Sequence, residues 1–135
     1  MREPTLTIRD ISEASGLSPH TLRYYERIGL MVPVSRGANG HRRYTPGEAE
    51  WVTLLRHLRD TGMPIAEMLR FAQLVRDGGE TVPDRLALLR AHRDAIMSRI
   101  ETLHATLAVV DAKIATYEAG AASTPPFQTR TERPA

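Results

Sequence analysis

Cysteine is absent from all 135 residues. That single gap excludes disulfides, thiolate metal sites and thiol-based redox sensing together. The chain also lacks any run of about eighteen apolar residues, so no membrane-spanning helix is expected. Met1 is followed by Arg2, Glu3 and Pro4 rather than by the apolar core of a secretory signal. A cytoplasmic, nucleoid-associated protein is therefore expected. No Gly-rich loop follows a strand-like stretch, and no His and carboxylate set has catalytic spacing. With the Cys nucleophile also missing, an enzyme is not expected. His92 and His104 lack a partner at metal-ligand spacing, so we read both as surface or dimer-contact residues. No metal and no cofactor are predicted.

What is present is an uneven charge. The formal net charge is only +2, from 18 Lys and Arg against 16 Asp and Glu. Between Pro19 and Thr45, however, Arg23, Arg27, Arg36, Arg42 and Arg43 face Glu26 alone, and His20 and His41 lie among them. A local excess of this kind is the electrostatic footprint of a polyanion-binding surface.

The same region holds the most informative stretch, Ser18-Pro19-His20-Thr21-Leu22-Arg23-Tyr24-Tyr25-Glu26-Arg27-Ile28-Gly29-Leu30. Ser18 suits an N-cap, since its hydroxyl can accept from first-turn N–H groups. Pro19 then falls at the first helical position, where its missing donor does no harm. Gly29 provides a left-handed stop. Leu22, Tyr25 and Ile28 form one apolar stripe, leaving His20, Arg23, Tyr24 and Arg27 to point elsewhere. An ordinary amphipathic helix with a solvated basic face would look similar.

Its neighbour shifts the balance. Residues 7–15 read as a shorter helix, with Thr7 and Asp10 in capping-box register and Ile8, Ile11 and Ala14 or Ser15 on one apolar face. Gly16-Leu17-Ser18 is a tight connection. Two short helices joined by such a turn make a helix-turn-helix, the second helix being the reader.

Beyond the reader, Pro33 makes residues 30–34 a non-helical exit. Asn39-Gly40 then signals a tight hairpin turn. We read residues 35–44 as a small β-hairpin wing bearing Arg36, Arg42 and Arg43; a basic loop is the alternative. Thr45, Pro46 and Glu48 open another capped helix, with Trp51, Leu54, Leu55 and Leu58 on its core face. Trp51 is read as a core anchor. Pro64 opens the next helix, with Ile65, Met68, Leu69, Ala72 and Val75 inward and Gly78-Gly79 at its end. Arg56, Arg59, Arg70 and Arg76 are read as solvated or paired with Asp60, Glu67 and Asp77.

From residue 81 to residue 118 no glycine occurs. Leu86, Leu89, Ile96, Ile100, Leu103, Leu107, Val110, Ile114 and Tyr117 recur at alternating steps of three and four, with Arg93 in the one polar slot. This is a coiled-coil seam. The helix would be about 50 Å long at roughly 1.5 Å per residue. That is too long to bury its stripe on a small head, so dimerisation is preferred to folding back. The expected division is a DNA-binding head over residues 5–79, a dimerisation helix over 81–119 and a disordered tail over 120–135. The fold class is mainly α, a winged helix-turn-helix followed by a long C-terminal helix.

These pieces, in this order, resemble the MerR family of bacterial transcriptional regulators. The likeness is carried by Thr21-Leu22-Arg23-Tyr24-Tyr25-Glu26-Arg27-Ile28-Gly29-Leu30, by Gly40-His41-Arg42-Arg43-Tyr44 and by the Trp51 helix. The resemblance implies a homodimer held by an antiparallel coiled coil, its two heads on a pseudo-palindromic promoter operator. It also implies distortion of the promoter spacer so that RNA polymerase can engage both promoter elements. Arg23 and Tyr24 would contact DNA from the reader, helped by Ser18, His20, Thr21 and Arg27. Arg42, Arg43 and Tyr44 would brace the wing on the backbone. The lack of cysteine departs from the metal- and redox-sensing branches, and the large C-terminal domain of the multidrug-binding branch is missing. The resemblance thus names no inducer. A DNA-architectural protein and a coiled-coil interaction adaptor are the alternative functions.

Overall fold

The computed structural model describes residues 5–31 and 43–120. The hairpin turn at Asn39-Gly40, the exit segment beyond Met31, and the side chains of Arg36, His41 and Arg42 lie outside the described residues, as does the segment 121–135. Among the described residues five α-helices follow one another: α1 (Ile8–Ser15), α2 (Pro19–Ile28), α3 (Pro46–Asp60), α4 (Ile65–Asp77) and α5 (Val82–Glu118), with a short 3-10 turn at Gly79–Thr81 before the last. Among the described residues there is no strand, only an isolated antiparallel bridge between Leu6 and Tyr44.

Local chemistry sets the helix ends. Thr7 accepts from the Asp10 N–H at 3.1 Å and Asp10 returns the bond to the Thr7 N–H at 2.9 Å. Thr45 and Glu48 repeat this reciprocal box at the start of α3. Ser18 accepts from the Thr21 N–H at 3.1 Å. Each such cap stabilises its helix by about 1 kcal/mol. Gly16 and Gly29, at φ of 77° and 91°, end α1 and α2 in the left-handed conformation that a side chain disfavours.

The chain forms two compact units, residues 1–93 and 94–135. In the first, α1 packs on α2 and α3, α3 packs on α4, and the four helices contribute to one core. Ile11, Leu22, Tyr25, Val52, Leu55 and Met68 are completely buried at the centre. Full burial of a side chain such as Leu22 contributes about 2 kcal/mol. Trp51 is half-buried as an anchor: its ring stacks on Phe71 at 5.4 Å and its indole N–H donates to the Leu30 carbonyl at 2.8 Å.

The core departs from the expected faces in several places. Val52 is fully buried while Leu54 is only half-buried, and Phe71, Met31 and Met63 join the core. Val75 stays 38% exposed at the end of α4. On α1 it is Ser15, not Ala14, that faces inward.

The opening turns of α5 belong to the first unit. Leu88 and Leu89 pack against its core, so Leu89, expected in the intermolecular seam, makes its contacts within the head. His92, expected on the surface or in a dimer contact, joins the Thr61 hydroxyl at 2.8 Å. Thr61 donates in turn to the His57 carbonyl at the end of α3. A polar residue at that corner ties α5 to the α3–α4 turn, which heptad spacing alone does not indicate. Arg85 and Thr81 fasten the corner before α5, with Arg85 Nε donating to Thr81 Oγ1 at 2.9 Å and Thr81 to the Gly78 carbonyl at 2.8 Å.

In the second unit, α5 continues to Glu118 and Gly120 follows at φ 78°. Along α5 no residue is buried. Ile100, Leu103, Leu107, Val110, Ile114 and Tyr117 are all exposed, Leu103 to 67%.

Candidate nucleic-acid interface

The packing of α2 decides which of its side chains are available. Leu22 and Tyr25 are wholly buried and Ile28 half-buried, so the opposite side must face outward. His20, Arg23, Tyr24 and Arg27 stand there, at the three- and four-residue steps that place side chains on one helical face. All four are exposed. The Tyr24 ring lies 6.2 Å from that of buried Tyr25, which braces it at its base. Ser18 and Thr21 begin the same face, but their hydroxyls already meet each other at 3.0 Å and Ser18 is occupied as the cap. This is a cationic and aromatic surface whose guanidinium, imidazole and phenol groups can donate hydrogen bonds to a polyanion.

The turn before α2 is fastened by its own side chains. Ser12 donates to the Leu17 carbonyl at 2.6 Å, and the Leu17 N–H donates to Ser15 Oγ at 3.2 Å. From α3, Arg56 Nη1 donates to the Ser15 carbonyl at 2.7 Å while its Nε lies 3.4 Å from Asp60. From α4, the Arg76 guanidinium donates to the carbonyl of Gly29, just past the end of α2. Sequence reasoning placed Arg56 and Arg76 in solvent or in ion pairs. Of those pairings, Arg56 with Asp60 is present, and the carbonyl contacts had no signal in local spacing.

Arg43 is half-buried near the start of α1. It contributes to holding the Asp10 carboxyl below its ordinary value of 3.8, after the larger effect of the Thr7 hydrogen bonds. Tyr44 is a correction. The family resemblance implies a place for it on the DNA backbone beside Arg42 and Arg43, yet its side chain is 0% exposed within the core. The reason is the bridge: Leu6 and Tyr44 exchange N–H to carbonyl bonds of 2.7 Å each, and that pairing turns the ring inward. Burial likewise pushes the Tyr25 phenol above its ordinary 10.0; Arg59 opposes this more weakly. No hydrogen bond of normal geometry reaches the Tyr25 hydroxyl among the described residues.

Among the described residues no three His, Asp or Glu side chains converge as a metal site. No helix among them is long and apolar enough to cross a membrane.

Comparison with known proteins gives a consistent result. The family profile described as MerR HTH family regulatory protein matches residues 6–73, and one described as MerR, DNA binding matches residues 49–113. An HTH-type transcriptional regulator of Haemophilus influenzae is 33% identical over 114 residues, 84% of each chain. The regulator AdhR of Bacillus subtilis is 32% identical over 92 residues, 68% of this chain and 66% of its own. Among solved structures, HiNmlR, a MerR family regulator lacking the sensor domain and bound to promoter DNA, superposes with a TM-score of 0.76 at 33% identity, covering 86% of this chain and 92% of its own. A MerR family regulator from Listeria monocytogenes gives the same TM-score at 35% identity, with 84% and 86% covered. These relatives are transcriptional regulators and not enzymes.

Proposed function

The chain belongs to the MerR family of helix-turn-helix regulatory proteins, and from that premise we propose that it is a sequence-specific transcriptional regulator. It binds a pseudo-palindromic operator in double-stranded promoter DNA as a homodimer, in the cytoplasm and at the nucleoid. The observation that carries this reading is the outer face of α2, where His20, Arg23, Tyr24 and Arg27 stand exposed opposite a fully buried Leu22 and Tyr25.

The roles divide by chemistry. A guanidinium that enters the major groove pairs in two places with a guanine edge, so Arg23 reads sequence. Tyr24, Arg27 and His20 contact phosphates beside it, and Arg43 does so from the base of the wing. Such contacts position the protein and supply most of the salt-dependent affinity. Arg36, His41 and Arg42 complete the set of basic residues assigned to DNA from the sequence. Tyr44 takes no part.

The second half of the reading rests on α5. Ile100, Leu103, Leu107, Val110, Ile114 and Tyr117 form an exposed apolar stripe at coiled-coil spacing. A second copy running antiparallel covers it and presents two heads to two half-sites. Distortion of the spacer between the promoter elements then governs access by RNA polymerase, with sequence-dependent DNA deformability adding to specificity.

A nuclease footprint of the full chain on the promoters of its own and neighbouring genes tests this. The expected result is protection between the two promoter elements with hypersensitive positions at its centre. Absence of protection even at low salt overturns the DNA-binding reading.

A further inference from the structure

The two arginines that hold the carboxyl ends of α1 and α2 come from outside the helix-turn-helix. Helix α1 has no basic residue in its last turn, so its terminal carbonyls lack a cation of their own. Arg56 of α3 supplies one, with Nη1 at 2.7 Å from the Ser15 carbonyl. A cation is favoured at a helix carboxyl end, where the last carbonyls have no intrahelical partner. Gly16 makes the approach possible, because a Cβ there would sit 2.1 Å from Arg56 Nη1 and 2.7 Å from Cζ. Asp60, one turn further along α3, steadies the guanidinium from the other side at 3.4 Å. At the far end of α2, Arg76 of α4 donates to the Gly29 carbonyl. The reading helix is thus gripped at its approach by α3 and at its exit by α4.

We infer that Arg56 and Arg76 are positioning residues that set the angle of α2 on the head, and through it the specificity of DNA reading. Neither touches DNA in this role. Phosphate contacts tolerate small changes of helix direction, because charge attraction falls gently with distance. A two-pronged contact to a base edge does not. Loosening the grip therefore removes discrimination between sequences while leaving general DNA affinity in place. The inference deepens the proposed function and depends on it for the DNA half of its test.

The test uses the full chain as wild type, Arg56→Ala, Arg56→Lys and Arg76→Ala. Residual dipolar couplings of the DNA-free proteins report the direction of α2 relative to α3. The expected result is a rotated or more dispersed α2 in both alanine variants, with α3 and α4 unchanged, and partial recovery in Arg56→Lys, whose ammonium can still donate to Ser15. An unchanged α2 overturns the inference whatever the DNA results. Titration of the footprinted operator and of a scrambled duplex of equal length, at several salt concentrations, forms the second arm. Operator affinity is expected to fall by about tenfold or more, scrambled-duplex affinity to hold within about twofold, and the salt slope to stay constant. Proportional loss on both duplexes marks a merely structural role, and a slope reduced by about 1 marks a phosphate contact; either overturns the inference. If the wild type prefers no duplex over the scrambled one, it is the regulator reading that fails, and the couplings alone decide the arginines.

Discussion

A methyl group at Gly16 would lie 2.1 Å from the Nη1 atom of Arg56, so these two residues, one at the end of α1 and one in α3, share a single space. Gly16→Ala should therefore do two things: strain a backbone held at φ 77° and expel the guanidinium from the Ser15 carbonyl. The combined loss is expected to be about 1–3 kcal/mol. In an Arg56→Ala background the same substitution should do less damage, with a coupling of about 0.5 kcal/mol or more in a urea-denaturation cycle of the four proteins. Additive losses would show that the two residues do not compete.

Arg23→Ala and Arg43→Ala should fail differently. Loss of a base-reading arginine weakens the operator by about 1–3 kcal/mol and relaxes preference at one base pair. Loss of a phosphate-contacting arginine weakens every duplex similarly and lowers the salt slope by about 1. Binding titrations on operator variants across a salt series separate the two; equal losses with equal slopes would contradict the division of roles.

Leu103 is 67% exposed on α5, so a charge there does no harm to an isolated chain. In a dimer seam the same charge would have to be buried. Leu103→Asp should therefore yield a folded monomer by sedimentation, with operator binding weakened roughly a hundredfold or more as one of two linked heads is lost. A variant that remains dimeric would place the interface elsewhere.

Acid should loosen the start of α1. Thr7 holds the Asp10 carboxyl below its ordinary 3.8, so the folded state favours the charged form. The stabilisation is complete above that value and fades as pH falls through and beneath it. Thermal melts between about pH 2.5 and pH 6 should show this fall in the wild type and a flatter profile in Asp10→Asn. Parallel profiles would assign the acid sensitivity to other carboxylates.

Tyr25 is buried at 0% exposure with no hydrogen bond of normal geometry to its hydroxyl among the described residues. Removing a buried hydroxyl that makes no hydrogen bond of normal geometry is nearly neutral or stabilising. Tyr25→Phe should change stability by less than about 1 kcal/mol and leave operator affinity intact, by denaturation and titration respectively. A large loss in either would reveal a partner for the phenol.

What could be read from the chain and what could not follow a physical divide. Thr7 with Asp10, Ser18 with Pro19, and Thr45 with Glu48 act over three or fewer positions, and the structure places each where its chemistry demands. The outward face of α2 was equally legible, because Leu22 and Tyr25 dictate which side is buried. Contacts between distant elements carry no such spacing. Nothing near Arg56 points to Ser15, nothing near His92 points to Thr61, and Tyr44 sits among arginines while its ring is turned inward by Leu6. Leu89 fits the heptad and packs on the head nonetheless, since one apolar stripe can serve two partners along its length.

The paired backbones of Leu6 and Tyr44 draw residues 7 to 43 into a loop tied shut at its neck. Enlarging a tied loop adds closure entropy only logarithmically, about 0.6 kcal/mol for each doubling of its length. Extra residues spliced between Met31 and Arg43 would thus leave the neck closed and α1 and the reading helix α2 seated. Length in that basic stretch becomes a dimension along which the molecule can drift: descendants can carry more or fewer residues there without having to rebuild the rest of the head.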